Sequence, residues 1–187
     1  MIFKDFALKE LLSNGDFESG ALTSWSTAGS IPVNVTSSSV HSGQYAALLG
    51  NPTYSCYGGV PIDSAILQQN VSIPRQGDAT LYFWYRLLTE DTTHNNLAPN
   101  QLADTLDITI VDSSGRTATV LQVGGPDNRQ LNCGEWKEIG WNSYAYDLSE
   151  YAGQTVTIRF SVSNRIDGFF NTYVFIDDAS LLWSPKR

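Results

Sequence analysis

Thr80-Leu-Tyr-Phe-Trp-Tyr-Arg-Leu-Leu88 alternates, with Leu81, Phe83, Tyr85 and Leu87 on one face and Tyr82, Trp84 and Arg86 on the other. A period of two is the signature of a half-buried β-strand, whereas a helix would repeat its apolar residues every three or four positions. Two further stretches obey the same rule. Leu106-Asp-Ile-Thr-Ile-Val111 turns Leu106, Ile108 and Ile110 inward, and Val156-Thr-Ile-Arg-Phe-Ser-Val162 does so with Val156, Ile158, Phe160 and Val162. Weaker alternations cover 31–37, 44–49, 65–73, 117–123, 136–146 and 173–183. After residue 12 no apolar helical pattern persists. The chain therefore reads as about ten short strands with no obligatory helix, a sandwich or jelly roll.

The connections are of two kinds. Short turn signals stand at 74–79, 112–116 and 149–154, and longer loops at 50–64, 91–104, 124–135 and 164–172. If successive strands alternate in direction, as antiparallel sheets require, every long loop falls at one pole and every short turn at the other. Long polar loops on a rigid scaffold display a binding surface. The expected members include Tyr57, Asp91, Asp104, Arg129, Asn164, Arg165 and Phe169, a mixture found in sugar pockets and adhesive surfaces alike. A second candidate surface is the outward side of the strands, with Tyr82, Trp84 and Arg86 beside Asp107, Thr109, Arg159 and Ser161. Aromatic rings flanked by hydrogen-bonding side chains suit the face of a sugar.

Bulk properties narrow the partners. The 187 residues are 42% apolar and 16% charged, with a net charge of −8 and no run of Lys or Arg. Nucleic acid and anionic membrane both need clustered cations, so neither is expected. No apolar stretch approaches the ~20 residues of a membrane-spanning helix, so no membrane insertion is expected. Met1 to Leu12 is interrupted by charges and does not read as a secretory signal. Residues 1–10 read as an extension or the stub of a longer chain, ahead of one domain over 11–187. Cys56 and Cys133 lie far apart, which excludes a zinc ribbon and a redox CxxC pair. They are either one long-range disulfide or two unrelated thiols. Strand parity puts both at the long-loop pole, and a bridge there would imply an oxidising, extracytoplasmic compartment. Nucleophilic catalysis needs a Ser or Cys beside a His. His41 and His94 are the only histidines, and no Gly-x-Ser-x-Gly string occurs. Both read as plain polar loop residues, and no catalytic residue is expected.

Particular strings carry a resemblance. Leu11-Leu-Ser-Asn-Gly-Asp-Phe-Glu-Ser-Gly20, followed by Trp25, resembles the opening of bacterial carbohydrate-binding jelly-roll modules. The strings His41-Ser-Gly-Gln-Tyr-Ala-Ala-Leu-Leu49, Leu81-Tyr-Phe-Trp-Tyr85, Asp147-Leu-Ser-Glu-Tyr-Ala-Gly-Gln154 and Tyr173-Val-Phe-Ile-Asp-Asp-Ala-Ser-Leu181 are similar to accessory jelly rolls. These are related to MAM domains and appended to secreted bacterial proteases and surface proteins. The resemblance covers nearly the whole chain from residue 11. It implies an all-β fold, an antiparallel β-sandwich of jelly-roll, galactose-binding-like type. It also implies a structural Ca²⁺ held by the carboxylates of Asp16, Glu18 and Asp178, with backbone oxygens near Ser42 and Gln44, a donor set that suits a hard cation. The function it implies is a non-catalytic extracellular or cell-surface module that binds glycan. The alternative is an adhesive module that contacts a surface protein or another copy of itself.

Overall fold

The computed structural model describes residues 8–54, 59–91, 104–124, 131–164 and 168–186. Its strands are β1 (Lys9–Glu10), β2 (Ser26–Ala28), β3 (Val33–Thr36), β4 (Ala46–Leu49), β5 (Ser64–Ser72), β6 (Asp78–Thr89), β7 (Thr105–Val111), β8 (Thr117–Gly124), β9 (Lys137–Asp147), β10 (Thr155–Ser163) and β11 (Thr172–Ser184). They form two antiparallel sheets. One runs β3-β4-β11-β6-β9, with β1 added on β11; the other runs β2-β5-β10-β7-β8. This is the β-sandwich jelly roll that the alternating pattern leads one to expect.

The inward ranks are those of the sequence pattern. Leu81, Phe83 and Leu87 of β6 face Ile108, Ile110, Ile158 and Phe160 across the interior, all fully buried. Phe83 and Phe160 meet edge-to-face at 5.2 Å and so join the two sheets. Trp25 completes the cluster beside Phe17 and Phe160. Truncating either phenylalanine to Ala would cost about 3–5 kcal/mol, from lost transfer energy and the cavity left behind. At the loop pole the interior turns polar. The rank after Leu87 and Leu106 holds Thr89, Thr172, Asp104 and Asn164, all buried. Thr89 bonds Thr172, whose Oγ1 donates to Asp104 Oδ2 at 3.1 Å and bridges the sheets.

Two strands had no signal in the sequence. β2 is three residues paired on β5. β1 places Lys9 and Glu10 opposite Trp183 and Leu182 of β11, so these residues belong to the sheet and not to an extension. Glu10 is why the pairing is specific: its Oε1 accepts from the N–H groups of Leu11, Leu12 and Leu181. Gln69, on the inward side of β5, holds the next stretch by exchanging two 2.9 Å bonds with the backbone of Ser13. The turn at 149–154 contains a single 3-10 turn over Ser149–Tyr151. Described residues of all four long loops meet at one pole. Asn171 donates to Asn51 and Tyr54, Glu90 accepts from Gly134 and Asn171, and Asn164 donates to Asp63.

Candidate functional site

The outward face expected from the sequence is not one surface. β6 lies in one sheet and β7 and β10 in the other. Tyr82, Trp84 and Arg86 are therefore on the opposite side of the sandwich from Asp107, Thr109, Arg159 and Ser161. Alternation tells which residues point outward but not from which sheet, and here that distinction splits the set.

The Trp84 side is strapped down. The segment 37–45 between β3 and β4 crosses it. The His41 ring stacks on Trp84 at 3.8 Å and 15° and meets Trp141 edge-on at 5.6 Å. Arg86 is equally engaged, donating to Glu138 through Nε and to Ser39 through Nη1, each at 2.7 Å. Tyr82, 43% exposed, is the one member left open. His41 is thus a packing residue, contrary to its reading as a plain loop residue; His94 lies outside the described residues.

What holds the strap is the Asp177–Asp178 pair. Consecutive strand residues normally point to opposite faces. A register shift in β11 between Asp177 and Ser180, with Asp178 in a left-handed conformation at φ 47°, turns both carboxylates to the same turn. Asp177 is fully buried and accepts from the backbone N–H groups of His41 at 2.8 Å and Ser42 at 3.2 Å. Burial lifts its carboxyl above the ordinary range, against the backbone bonds from His41, Ser42 and Asp178 and with the push of the Asp178 charge. Asp178 binds the same two residues through their side chains, at 2.6 Å to His41 Nδ1 and 2.8 Å to Ser42 Oγ. Glu18 fastens the other end, its Oε1 accepting from the N–H groups of Gln44 at 2.8 Å and Tyr45 at 2.9 Å. Gly43 is required between them: a Cβ there would lie 2.3 Å from Glu18 Oε1, and its φ is +65°.

Glu18 and Asp178 thus both engage the 41–45 turn, through the Gln44 N–H and the Ser42 hydroxyl. Asp16 makes no bond to that turn among the described residues, but its Oδ1 accepts from the Glu18 N–H at 3.3 Å. It lines, with Glu10, Asn14 and Asp178, a cleft of about 260 Å³ between the first and last strands. No three acidic, His or Cys side chains gather as a metal-holding group among the described residues. The donors that fit a hard cation are hence two carboxylates, Glu18 and Asp178, joined by oxygens of the turn, with Asp16 as a neighbour of Asp178.

The second sheet presents a different surface. Across β5, β10, β7 and β8 the cross-strand pairs run Ile66–Ser161–Asp107–Gln122 in one row and Gln68–Arg159–Thr109–Thr119 in the next. All of these except Gln68, with Thr117, line a cleft of about 280 Å³. No aromatic residue occurs in the strands of this sheet that bear it, except the inward Phe160. Asp107 is engaged, its Oδ1 accepting from Gln122 at 2.6 Å and its Oδ2 from Thr105 at 2.8 Å. Arg159 donates through Nε to Gln68 at 2.9 Å, which fixes the guanidinium plane. Ser161 and Thr119 line the same cleft, and the Thr109 hydroxyl lies buried beneath it without a hydrogen-bond partner among the described residues. A surface with so much unfilled hydrogen-bonding capacity can hold a polar, hydroxylated ligand.

At the loop pole, Asp91, Asp104 and Asn164 are buried rather than displayed. They continue the inward rank of their strands, which corrects the expectation of a surface there for these three. Phe169 is 53% exposed, as expected. Tyr57, Arg129, Arg165 and Cys56 lie outside the described residues. Cys133 sits in the 132–135 turn, which Glu135 closes by donating to Asn132.

No protein-family model matches the chain, and no curated protein matches it. Solved structures do. A carbohydrate-binding module, TmCBM61, in complex with β-1,4-galactotriose aligns at TM-score 0.58 and 21% identity, over 92% of this chain and 97% of that one. The shared fold is the β-sandwich jelly roll. The K3 cleaved adhesin domain of Lys-gingipain from Porphyromonas gingivalis aligns with this jelly roll at TM-score 0.57 and 18% identity, covering 94% and 99%. The tandem CBM22-1–CBM22-2 domain from Paenibacillus barcinonensis does so at 0.52 and 16%, over 97% of this chain and 48% of that one. Among the described residues no helix is long and apolar enough to cross a membrane.

Sequence reasoning missed Asp177 and the lid role of His41. The available signal was an Asp-Asp pair inside an apolar strand. Two adjacent buried-side acids cannot both be accommodated by regular pleating, so the pair marks a bulge.

Proposed function

We propose that this jelly roll is a non-catalytic glycan-binding module of an extracellular protein, with the glycan lying across the polar cleft of the β2-β5-β10-β7-β8 sheet. The observation that carries the reading is the cleft itself, whose Arg159, Ser161 and Thr119 present hydrogen-bonding groups with no partner among the described residues. Sugars are rich in such partners, and a handful of placed polar groups fixes their orientation. The galactotriose held by the similar fold supports the ligand class. Calcium belongs to the proposal as the fastening of the strap: Glu18 and Asp178 would hold it with oxygens of the 41–45 turn, and it would neutralise their charge. A bridge between Cys56 and Cys133 is proposed likewise, joining two long loops and consistent with an oxidising compartment.

The adhesive alternative has its own observation. Ile62 and Phe169 are both exposed, and Gly168 approaches the carbonyl of Val60, so the two apolar side chains belong to neighbouring segments at the loop pole. The two readings separate in affinity electrophoresis through gels containing soluble polysaccharides. Ser161→Ala with Thr119→Ala removes two cleft hydroxyls and should weaken retardation about tenfold, from about 0.5–1.5 kcal/mol per hydrogen bond. Phe169→Ser should leave retardation unchanged. Retardation lost in Phe169→Ser and kept in the double variant would reject the cleft.

A further inference from the structure

We propose, building on the glycan-binding reading, that the cleft selects a carboxylated glycan, one carrying uronic acid residues, and that Arg159 reads the carboxylate. The five strands of this sheet contain one cation, Arg159, and one anion, Asp107. Their states differ. Both Asp107 oxygens already accept hydrogen bonds inside the protein, from Gln122 and Thr105. Among the described residues Arg159 uses only Nε, on Gln68, which leaves both Nη nitrogens for a ligand. The remaining capacity of the cleft is thus mainly that of a donor.

Geometry reinforces the charge argument. A guanidinium clamped at Nε presents its Nη groups as a planar fork, which matches the two oxygens of a carboxylate. Ser161 is two residues along β10 from Arg159 on the same face, and Thr119 lies in the row of Arg159, across the intervening Thr109 whose hydroxyl is buried. Hydroxyls therefore flank the fork and can meet the ring hydroxyls of the same sugar. The missing aromatic platform points the same way. Without a ring to stack on, a neutral sugar has only exchangeable hydrogen bonds to gain, whereas a charge-assisted bidentate pair is about twice as strong per bond. The −8 net charge of the chain opposes a polyanion at long range, but at physiological ionic strength that repulsion is screened beyond about 8 Å.

The test is a set of binding isotherms at 0.15 M salt on polygalacturonate, neutral β-1,4-galactan and a sulfated galactan. They compare the wild type, Arg159→Gln and Arg159→Lys, with thermal melts confirming that each variant folds. The expected result is tightest binding to polygalacturonate, a loss of tenfold or more in Arg159→Gln, and most of that loss also in Arg159→Lys, which keeps the charge but not the fork. Neutral binding equal to or tighter than the carboxylated chain would overturn the uronate assignment while leaving the glycan-binding reading intact. Sulfated galactan bound as well as polygalacturonate, with Arg159→Lys unimpaired, would overturn it too, since charge alone would then suffice. An absence of binding to any of the three and to a wider glycan panel would remove the glycan-binding reading and the inference together.

Discussion

Trp84→Ala should destabilise the fold and leave glycan binding intact. Trp84 points away from the core, so alternation alone would make it a solvent-facing platform whose loss costs little. The structure places it under the His41 ring at 3.8 Å, and that ring also meets Trp141 edge-on. The stack contributes about 0.5–1.5 kcal/mol beyond area burial. A fully buried Trp costs about 3–5 kcal/mol on truncation to Ala, and a half-buried one with a stacked lid should fall near 2–3 kcal/mol. In a domain of this size each kcal/mol lowers Tm by about 2–4 °C, so the expected drop is roughly 5–10 °C. His41→Ala should produce a smaller drop in the same direction, because it removes the lid and leaves the indole. Differential scanning calorimetry supplies the Tm and affinity electrophoresis the binding. A Trp84→Ala protein that melts like the wild type and no longer binds glycan would refute the reasoning, and would return the sugar site to the β6 face.

Three further predictions concern the fastenings. If calcium joins Glu18 and Asp178, EDTA should lower the melt of the wild type by the equivalent of about 2.7 kcal/mol at a hundredfold excess over Kd, and Asp178→Asn should be insensitive to chelator; identical wild-type melts in calcium and EDTA would exclude the ion. Alkylation of native, unreduced protein followed by intact-mass measurement should add no label if Cys56 and Cys133 are bridged, and two labels would disprove the bridge. Gly43→Ala should cost about 1–2 kcal/mol, because it combines a positive φ with a Cβ 2.3 Å from Glu18 Oε1; a melt equal to the wild type would show that Glu18 does not hold the turn as described.

The strands legible in the sequence were those with a face to bury. β5, β6, β7 and β10 alternate because each contributes one rank to a two-sided core, and their bounds fall within a few residues of those expected. β1 and β2 are two and three exposed residues whose places are set by partners, not by their own pattern: Glu10 bonds the β11 backbone, and Ser26 pairs opposite Gln68. The site was legible in part for a related reason. Asp107 and Arg159 could be read as outward and polar, and they do meet in one cleft. Their separation from Trp84 could not be read, because period two is identical in both sheets of a sandwich. Asp104 and Asn164 show a converse limit: they look like loop residues by composition, yet they continue the inward rank past the strand ends. Asp104 is tolerated at that position because Thr172 partners it across the sheets, whereas the buried Asn164 side-chain amide has no hydrogen-bond partner among the described residues.

The most direct test of the cleft assignment is a ¹H–¹⁵N chemical-shift map recorded while titrating the protein with a soluble glycan that retards it in affinity gels. The largest shifts should fall on outward positions of β7, β8 and β10, at Asp107, Thr119, Gln122, Arg159 and Ser161, with Trp84 and Trp141 indole signals unmoved. Shifts confined to the Trp84 indole and the 37–45 strap, or to the segments around Ile62 and Phe169, would contradict the cleft assignment.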